Sequence, residues 1–315
     1  MSELILDRRW RLTETPDFLK PVGERERRIG PLLVFLALGA ILFVLASVLA
    51  IGVVMAAMAF NGHSLTQAMA VMSGGKRLGL SLSSYNYVLA MAGLSLFTSA
   101  FALLWLAVRF YHRPFRSFVT AAPRFRWKLV LLGFAIALPI LGIAVGLQQA
   151  FSPEPMHPPI LTATGPGDLA FYILAAVGFL FIAALAEEMI FRGWLLQQTS
   201  AFTRSIPILL LVNGILFSLA HGDLDPGALF VRALMGASWA WIAIRVGGLE
   251  FGAGAHLANN LLIVLLIEPV SLAAPAHEKA DIGAGLIQLA IVGASVAAVE
   301  LLIRSGKLEH SFTGR

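Results

Sequence analysis

The sequence has 315 residues, of which 58% are hydrophobic and only 13% are charged. Soluble domains carry about 25% charged residues, so this chain lacks the polar side chains needed to cover a water-exposed surface. We predict an integral membrane protein. The absence of cysteine excludes disulfides, thiolate catalysis and cysteine-ligated metal sites. The net charge of +5 does not indicate a nucleic-acid partner, because the basic residues follow membrane topology instead.

Apolar segments long enough to cross a bilayer, which takes ~20 residues per helix, recur along the chain. They predict an all-α fold, a polytopic membrane helix bundle of about eight transmembrane helices. The predicted spans are residues 31–58, 88–108, 129–150, 169–190, 206–221, 227–246, 251–268 and 281–303. Gly142 and Gly146 form a GxxxG pattern in the third span, which is typical of helix packing.

Basic residues are distributed unevenly between the two ends of these spans. Of the 23 lysines and arginines, 19 fall on one side: in residues 1–30, in the 109–128 connector, after the fourth and sixth spans, and at the C-terminus. The positive-inside rule makes this side cytoplasmic. An even number of spans, here eight, requires both termini on one side of the membrane. The number of spans therefore agrees with the distribution of basic residues. We predict a multi-pass protein of the cell (inner) membrane with both termini cytoplasmic.

The chain divides into four predicted parts. Residues 1–30 form a charged cytoplasmic tail, 31–150 an N-terminal three-helix membrane region, 165–270 a core with polar motifs, and 271–315 the last transmembrane helix and a cytoplasmic tail. Residues 61–87 are predicted to be a polar external connector. The alternating charges of 24–28 predict a solvated or headgroup-facing segment. The basic and aromatic residues of 109–128 predict a segment at anionic lipid headgroups.

Three polar motifs interrupt the hydrophobic helices of the core. An ionisable side chain at mid-membrane costs at least ~2.5–3.5 kcal/mol, so such residues usually mark function. Of the seven histidines, only two lie within or at the end of an apolar segment, and both belong to these motifs. The motifs are Glu187-Glu188-Met-Ile-Phe-Arg192, Phe217-Ser-Leu-Ala-His221 and His256-Leu-Ala-Asn-Asn260.

Helical spacing predicts how these side chains are arranged. Glu188 and Arg192 are four residues apart, the better orientation for an ion pair on one helix. Glu187 is turned by about 100° from Glu188, so one carboxylate can face a cavity while the other pairs with arginine. Counted from the cytoplasmic helix ends, Glu187 and His221 both lie roughly 20 Å deep. His256 is predicted to lie several ångströms shallower.

These residue types together favour catalysis over the separate structural role that each motif could have. A carboxylate beside a cavity can act as a general base, an imidazole can hold or polarise water, and an amide can donate to a developing oxyanion. Taken singly, the three motifs also fit a structural ion pair, an interfacial histidine and interhelical hydrogen bonding. Their occurrence together in the fourth, fifth and seventh predicted spans makes the combined structural explanation the weaker one.

In this order the motifs resemble the CAAX-protease and bacteriocin-processing (CPBP, or Abi) family of intramembrane proteases. The run from Glu187 to Trp194 is similar to the first signature of that family, and the eight-span layout resembles its type II CAAX prenyl endopeptidase branch. The resemblance covers about residues 165–270. It does not extend to Arg232 inside the sixth span or to the N-terminal three helices, which carry no family signature.

The resemblance implies hydrolysis of peptide bonds in a membrane-associated protein or peptide, either CAAX-like or of the bacteriocin or leader type. Glu187, aided by His221, would then activate water. His256 and Asn260 would stabilise the oxyanion, and the Glu188–Arg192 pair would be supporting structure. The implied catalytic set is Glu187, Glu188, His221, His256 and Asn260, supported by Arg192 and Phe217.

Two points stay open at this level. Family members are also described as metalloproteases, and Glu187, His221 and His256 with a water would fit a catalytic zinc. The chain lacks the His-Glu-x-x-His spacing, so we predict a glutamate-activated water without a cofactor. The alternative functions are a non-catalytic membrane scaffold or immunity protein, and a proton-coupled transporter. No internal repeat of the kind common in transporters is evident in the sequence.

Overall fold

A computed structural model of the chain describes residue 12 and residues 14–72, 82–151, 158–268 and 282–308. These residues form an all-helical bundle, as predicted. The α-helices are α1 (Ile29–Phe60), α2 (Leu65–Met72), α3 (Leu82–Tyr111), α4 (Trp127–Phe151), α5 (Pro166–Glu188), α6 (Leu196–Ser200), α7 (Ile206–Leu219), α8 (Pro226–Val246), α9 (Glu250–Leu262) and α10 (Ile282–Arg304). A π-helical segment, Met189–Leu195, joins α5 to α6, and another, Ile263–Ile267, extends α9.

The protein is a multi-pass membrane protein. Seven of the described helices are long and apolar enough to cross a membrane, and α7 is a shorter apolar helix. Its 14 residues rise by ~21 Å, less than the ~30 Å of a hydrocarbon core. The predicted fifth span, 206–221, is therefore too long: α7 ends at Leu219 and leaves His221 in the following turn.

The predicted connector at 61–87 extends too far at its C-terminal end. It contains α2, and α3 begins at Leu82 rather than near residue 88. Hydropathy failed here because the first turns of α3 carry polar side chains that face the protein. Tyr85 and Asn86 are each only 7% exposed. Residues 73–81 lie outside the described part of the chain.

Close helix contacts in the bundle depend on isolated glycines. A side chain at Gly254 of α9 would come within 1.9 Å of the Val130 carbonyl oxygen of α4. A side chain at Gly133 of α4 would come within 2.1 Å of the Phe251 carbonyl oxygen. The GxxxG pattern of α4 does not mark such a contact, because nothing lies within 4 Å of a side-chain carbon built at Gly142 or Gly146. The packing interpretation of that pattern was wrong.

Both described ends of the chain lie at the same end of the bundle. The Leu12 amide donates to the Arg204 carbonyl oxygen after α6. Near the other terminus, Leu308 is buried in the apolar cluster that includes Leu129 at the start of α4. This end also holds the 109–128 connector, which is the end predicted to be cytoplasmic.

Two charged segments at this end each contain buried residues, which the sequence-based expectation did not include, although the rest of residues 24–28 is exposed. Glu26 is 2% exposed and accepts a 3.0 Å hydrogen bond from Arg113. Burial lowers the pKa of the Arg113 guanidinium, and Glu26 opposes that shift. Phe118, in the middle of the 109–128 connector, is 1% exposed. Composition misled here because a charge can be buried once it has a partner, and sequence alone does not reveal the partner.

The orientation of the bundle in the membrane remains a prediction. We expect both termini in the cytoplasm, so a C-terminal alkaline phosphatase fusion should be inactive and a C-terminal fluorescent protein should fluoresce. A phosphatase fused after residue 165 is the matched positive control, because three predicted spans separate this position from the cytoplasmic N-terminus and place it outside. An active phosphatase at the C-terminus would contradict the eight-span topology.

Candidate active site

The first motif lies where the α5 helix changes to π-helical geometry. Glu188 is the last residue of α5, and the next seven residues form the π segment. π-Helical turns occur frequently at functional sites. The Phe191 carbonyl oxygen accepts from the Leu196 amide and also from the side-chain amide of Asn213 on α7, at 2.6 Å. This contact ties α7 to the π segment between Glu188 and Arg192.

The ion pair expected from the spacing of Glu188 and Arg192 is present. Arg192 Nη1 donates to Glu188 Oε1 at 2.9 Å, and both side chains are fully buried. Arg192 Nη2 donates to the Gly236 carbonyl oxygen of α8 at 3.1 Å. The guanidinium carbon also lies 4.6 Å from the ring centre of Phe217 and 5.3 Å from that of Trp239. The buried cation therefore has a carboxylate, a carbonyl oxygen and two aromatic faces as partners.

His256 lies between the two glutamates of the first motif. Its Nδ1 is 3.3 Å from Glu188 Oε1, and its Nε2 is 3.8 Å from Glu187 Oε2. The shallower position predicted for His256 is therefore wrong. The reason is that α9 begins inside the protein, where its first residue, Glu250, is fully buried and paired with Arg126 at 2.8 Å.

The two glutamates differ in their access to solvent. The Glu187 side chain is 16% exposed, whereas that of Glu188 is 0% exposed. A side-chain carbon at Gly252 of α9 would lie only 2.7 Å from Glu188 Oε2, so this oxygen is pressed against the neighbouring helix. Only Glu187 has a carboxylate surface that a substrate or a water molecule can reach.

The second motif places an aromatic ring between two imidazoles. His221 Nδ1 is 2.8 Å from the Phe217 carbonyl oxygen. The Phe217 ring centre is 4.9 Å from that of His221 and 6.1 Å from that of His256. Glu187 acts electrostatically on His221, but no hydrogen bond or ion pair joins the two within the described residues. His221 is exposed, since it lies in the turn beyond the end of α7.

Of the third motif, His256 contacts the two glutamates, whereas the described hydrogen bond of the Asn260 side chain is to Asn259. Asn260 lies one helical turn beyond His256, and its Oδ1 accepts from Asn259 Nδ2 at 3.2 Å. In the described part of the chain, no hydrogen bond joins the Asn260 side chain to Glu187 or His256. Its proximity to them follows from the i,i+4 spacing on α9.

Sequence reasoning missed Trp239 and Asn213 as neighbours of these side chains, and it named Arg232 without assigning it a partner. The Trp239 ring lies 4.5 Å from the His256 ring at an angle of 36°. Asn213 carries the one amide side chain in the apolar run of α7, and this is the signal that could have singled it out. Arg232, which departs from the family pattern, forms an ion pair with Asp223 at 3.0 Å.

The side chains proposed for a zinc site do not form a metal-binding group. Among the residues that the structure describes, no three histidine, aspartate or glutamate side chains are close enough together to hold a metal ion. Glu187 and His256 face each other, but His221 does not join them. The donor set of Glu187, His221 and His256 therefore does not fit a three-ligand zinc site in this arrangement.

Comparison with known proteins finds a similarity over the segment that holds the three motifs. Residues 169–262 match the family model described as Type II CAAX prenyl endopeptidase Rce1-like. The three motifs lie in an Rce1-like segment. The chain is also 32% identical over 197 residues to YyaK of Bacillus subtilis (strain 168), which is described as an uncharacterized protein. That match covers 60% of this chain and 61% of YyaK. No solved structure matches the chain significantly.

Proposed function

We propose that this protein is an intramembrane endopeptidase that cleaves a membrane-associated protein or peptide with a water activated by Glu187. The observation that carries this proposal is the asymmetry of the two glutamates. Glu188 is fully buried and held by Arg192, whereas Glu187 is accessible and faces His256. One carboxylate is thus committed to structure and the other is left for chemistry. The Rce1-like match over residues 169–262 supports the same reaction class.

The contacts of His256 assign it a part in holding the water. The Glu188 carboxylate can only accept a hydrogen bond, so the proton of a neutral His256 lies on Nδ1 and its Nε2 faces Glu187. The 3.8 Å between Nε2 and Glu187 Oε2 is too long for a direct hydrogen bond. A water between them can donate to both atoms. This role differs from the oxyanion stabilisation that the family resemblance implied.

In peptide hydrolysis at this position, Glu187 first accepts a proton and then donates it. The water oxygen attacks the carbonyl carbon of the substrate while its proton moves to Glu187. The proton then passes to the leaving amine as the carbon–nitrogen bond breaks. His221 donates its Nδ1 proton to the Phe217 carbonyl oxygen, which leaves its Nε2 to accept from water. Because both protons of the attacking water are directed to Glu187 and His256, His221 accepts from a second, neighbouring water that hydrogen-bonds the attacking one, and it does not donate to the oxyanion.

Asn260 is the donor that we assign to the oxyanion. Its Oδ1 is engaged by Asn259, so its amide nitrogen remains available to donate. A contact that strengthens as negative charge develops lowers the barrier without tightening substrate binding. Loss of one such donor typically costs ~10²–10³-fold in kcat.

A cleavage assay in detergent tests this assignment with a panel of quenched C-terminal peptides. We expect wild type to cleave at least one peptide, and Asn260→Ala to lower kcat by ~10²–10³-fold with little change in KM. Asn61→Ala is the control, because Asn61 is exposed and donates a hydrogen bond to the Tyr87 hydroxyl. Both residues lie outside the three motifs. Unchanged kcat in Asn260→Ala would contradict its role. A wild type inactive on the whole panel would favour the non-catalytic scaffold.

Metal dependence is a separate prediction of the proposal. If Glu187 activates the water directly, strong chelators should leave most of the activity intact, because His221 does not complete a three-ligand site with Glu187 and His256. Elemental analysis should then find no stoichiometric zinc in the purified protein. A zinc ion lost together with activity, and restored with it, would overturn the metal-free mechanism.

A further inference from the structure

A second candidate site lies at the end of the bundle that is predicted to be cytoplasmic, outside the three motifs. A cavity of about 160 Å³ opens between the N-terminal segment and the turn that follows α6. This is many times the ~10–15 Å³ that a single water needs. Its lining includes three cationic residues, Lys20, Arg27 and Arg204. The remaining described lining residues carry hydroxyl or apolar side chains, with no carboxylate among them.

The walls of this cavity are held in place by buried contacts. The Leu12 amide donates to the Arg204 carbonyl oxygen at 2.9 Å, which joins the N-terminal segment to the turn after α6. Gln198 of α6 donates to the Glu26 carbonyl oxygen at 2.7 Å, directly before Arg27. Phe18 is fully buried. Two segments far apart in sequence thus form a fixed recess.

Within the described residues, no carboxylate neutralises the two arginines of this recess. Arg27 and Arg204 are exposed, and neither pairs with a carboxylate within the described residues. The neighbouring Glu26 points inward to a buried arginine instead. Lys20 pairs with Asp17, so its charge is partly compensated. The two arginines therefore offer guanidinium groups, whose planar forks match the oxygens of a phosphate.

The hydroxyl groups of the lining add one available donor. Thr203 Oγ1 accepts from the Ser205 amide at 3.1 Å, which leaves its own proton free to donate. Ser200 already donates to the Gln197 carbonyl oxygen at 2.7 Å, so its oxygen can only accept. An anion in the recess can therefore receive hydrogen bonds from Thr203 as well as from the arginines.

The recess lies at the edge of the apolar surface that faces lipid. Helix α1 begins two residues after Arg27, and its first residue, Ile29, is 67% exposed. Helix α7 begins two residues after Arg204, and Ile208 within it is 47% exposed. Both arginines therefore lie just outside two apolar, outward-facing helices. This is the level at which lipid phosphates lie in a bilayer, and cytoplasmic arginines are attracted to anionic lipids there.

We propose that this recess binds the phosphate group of an anionic phospholipid through Arg27, Arg204 and Thr203. Soluble phosphate offers the same oxygens, but it has no acyl chains to contact the exposed apolar surfaces of α1 and α7. The site does not depend on the proposed peptidase activity, because none of its residues belongs to the three motifs.

Lipid binding by the purified, full-length protein tests the proposal. The probes are phosphatidylglycerol, phosphatidylcholine and inorganic phosphate, each measured by native mass spectrometry or by the shift in thermal unfolding midpoint. The recess variant is Arg27→Gln/Arg204→Gln. The matched control, Arg124→Gln/Arg304→Gln, removes the same charge from two exposed arginines outside the recess. We expect phosphatidylglycerol to bind the wild type and the control with the same affinity. Its affinity for the recess variant should be lower by ~10-fold or more, because charge-assisted hydrogen bonds are lost.

A direct probe of the recess keeps the test decisive if the recess variant fails to fold. Because the chain has no cysteine, the Ser200→Cys variant can be labelled with a single fluorophore at the recess. The fluorescence of this label should change, and reach saturation, as phosphatidylglycerol is added. Equal binding by recess variant and control, or a probe that does not respond, would overturn the proposal. Inorganic phosphate that binds as tightly as phosphatidylglycerol would overturn the lipid assignment and identify a soluble anion as the ligand.

Discussion

Glu187→Gln is expected to abolish most peptide hydrolysis while leaving the protein folded. The substitution keeps the shape and hydrogen-bonding capacity of the side chain but removes the base that takes the proton from water. A general base typically contributes ~10²–10⁴-fold to the rate, and kcat/KM on a cleaved peptide should fall by that factor. The thermal unfolding midpoint should change little, because Glu187 is partly exposed and forms no ion pair with an arginine or lysine in the described structure.

The matched control is the same substitution one residue along the chain. Glu188→Gln removes the carboxylate that pairs with the fully buried Arg192, so it should lower the unfolding midpoint as well as the activity. Each variant is therefore judged by two measurements, the rate of peptide hydrolysis and the thermal unfolding midpoint. Full activity in Glu187→Gln would exclude it as the base. A Glu187→Gln variant as unstable as Glu188→Gln would show that both glutamates are structural.

Arg192→Ala is expected to have the largest effect on folding. It leaves Glu188 as a buried charge without its cation, removes the hydrogen bond to the Gly236 carbonyl oxygen, and empties the space between the rings of Phe217 and Trp239. Breaking a buried ion pair by removing one partner typically costs about 3–5 kcal/mol. We expect a low yield of folded protein and a strongly lowered unfolding midpoint, measured in detergent beside wild type.

Two further variants separate this effect from a general loss of charge. Arg232→Ala breaks a pair in which the arginine side chain is 26% exposed, so its cost should be well below that of Arg192→Ala, since solvent screens the charges. The double variant Glu188→Gln/Arg192→Met leaves no unpaired charge and should recover much of the lost stability. A well-folded and fully active Arg192→Ala would show that the pair is not needed for the fold.

The sequence by itself determined the features that depend on neighbours along the chain. Low charge and long apolar runs identified a membrane bundle, because hydropathy is a local property of each helix. The i,i+4 spacing predicted the Glu188–Arg192 pair, because residues four apart share one face of a helix. The three motifs and the span layout also pointed to a resemblance to the type II CAAX prenyl endopeptidases, and the segment 169–262 that holds the motifs matches the Rce1-like family model.

Only the tertiary structure decided how these helices meet. It placed His256 between the two glutamates, because α9 begins at Glu250, which is buried within the protein. Spacing along one helix predicted that the two glutamates face different directions, but only the packing of α9 against Glu188 decided that Glu188 is fully buried while Glu187 stays accessible. Asn213 and Trp239 joined the site through contacts between helices. Contacts of this kind depend on depth, tilt and partner, none of which is encoded in the periodicity of a single helix.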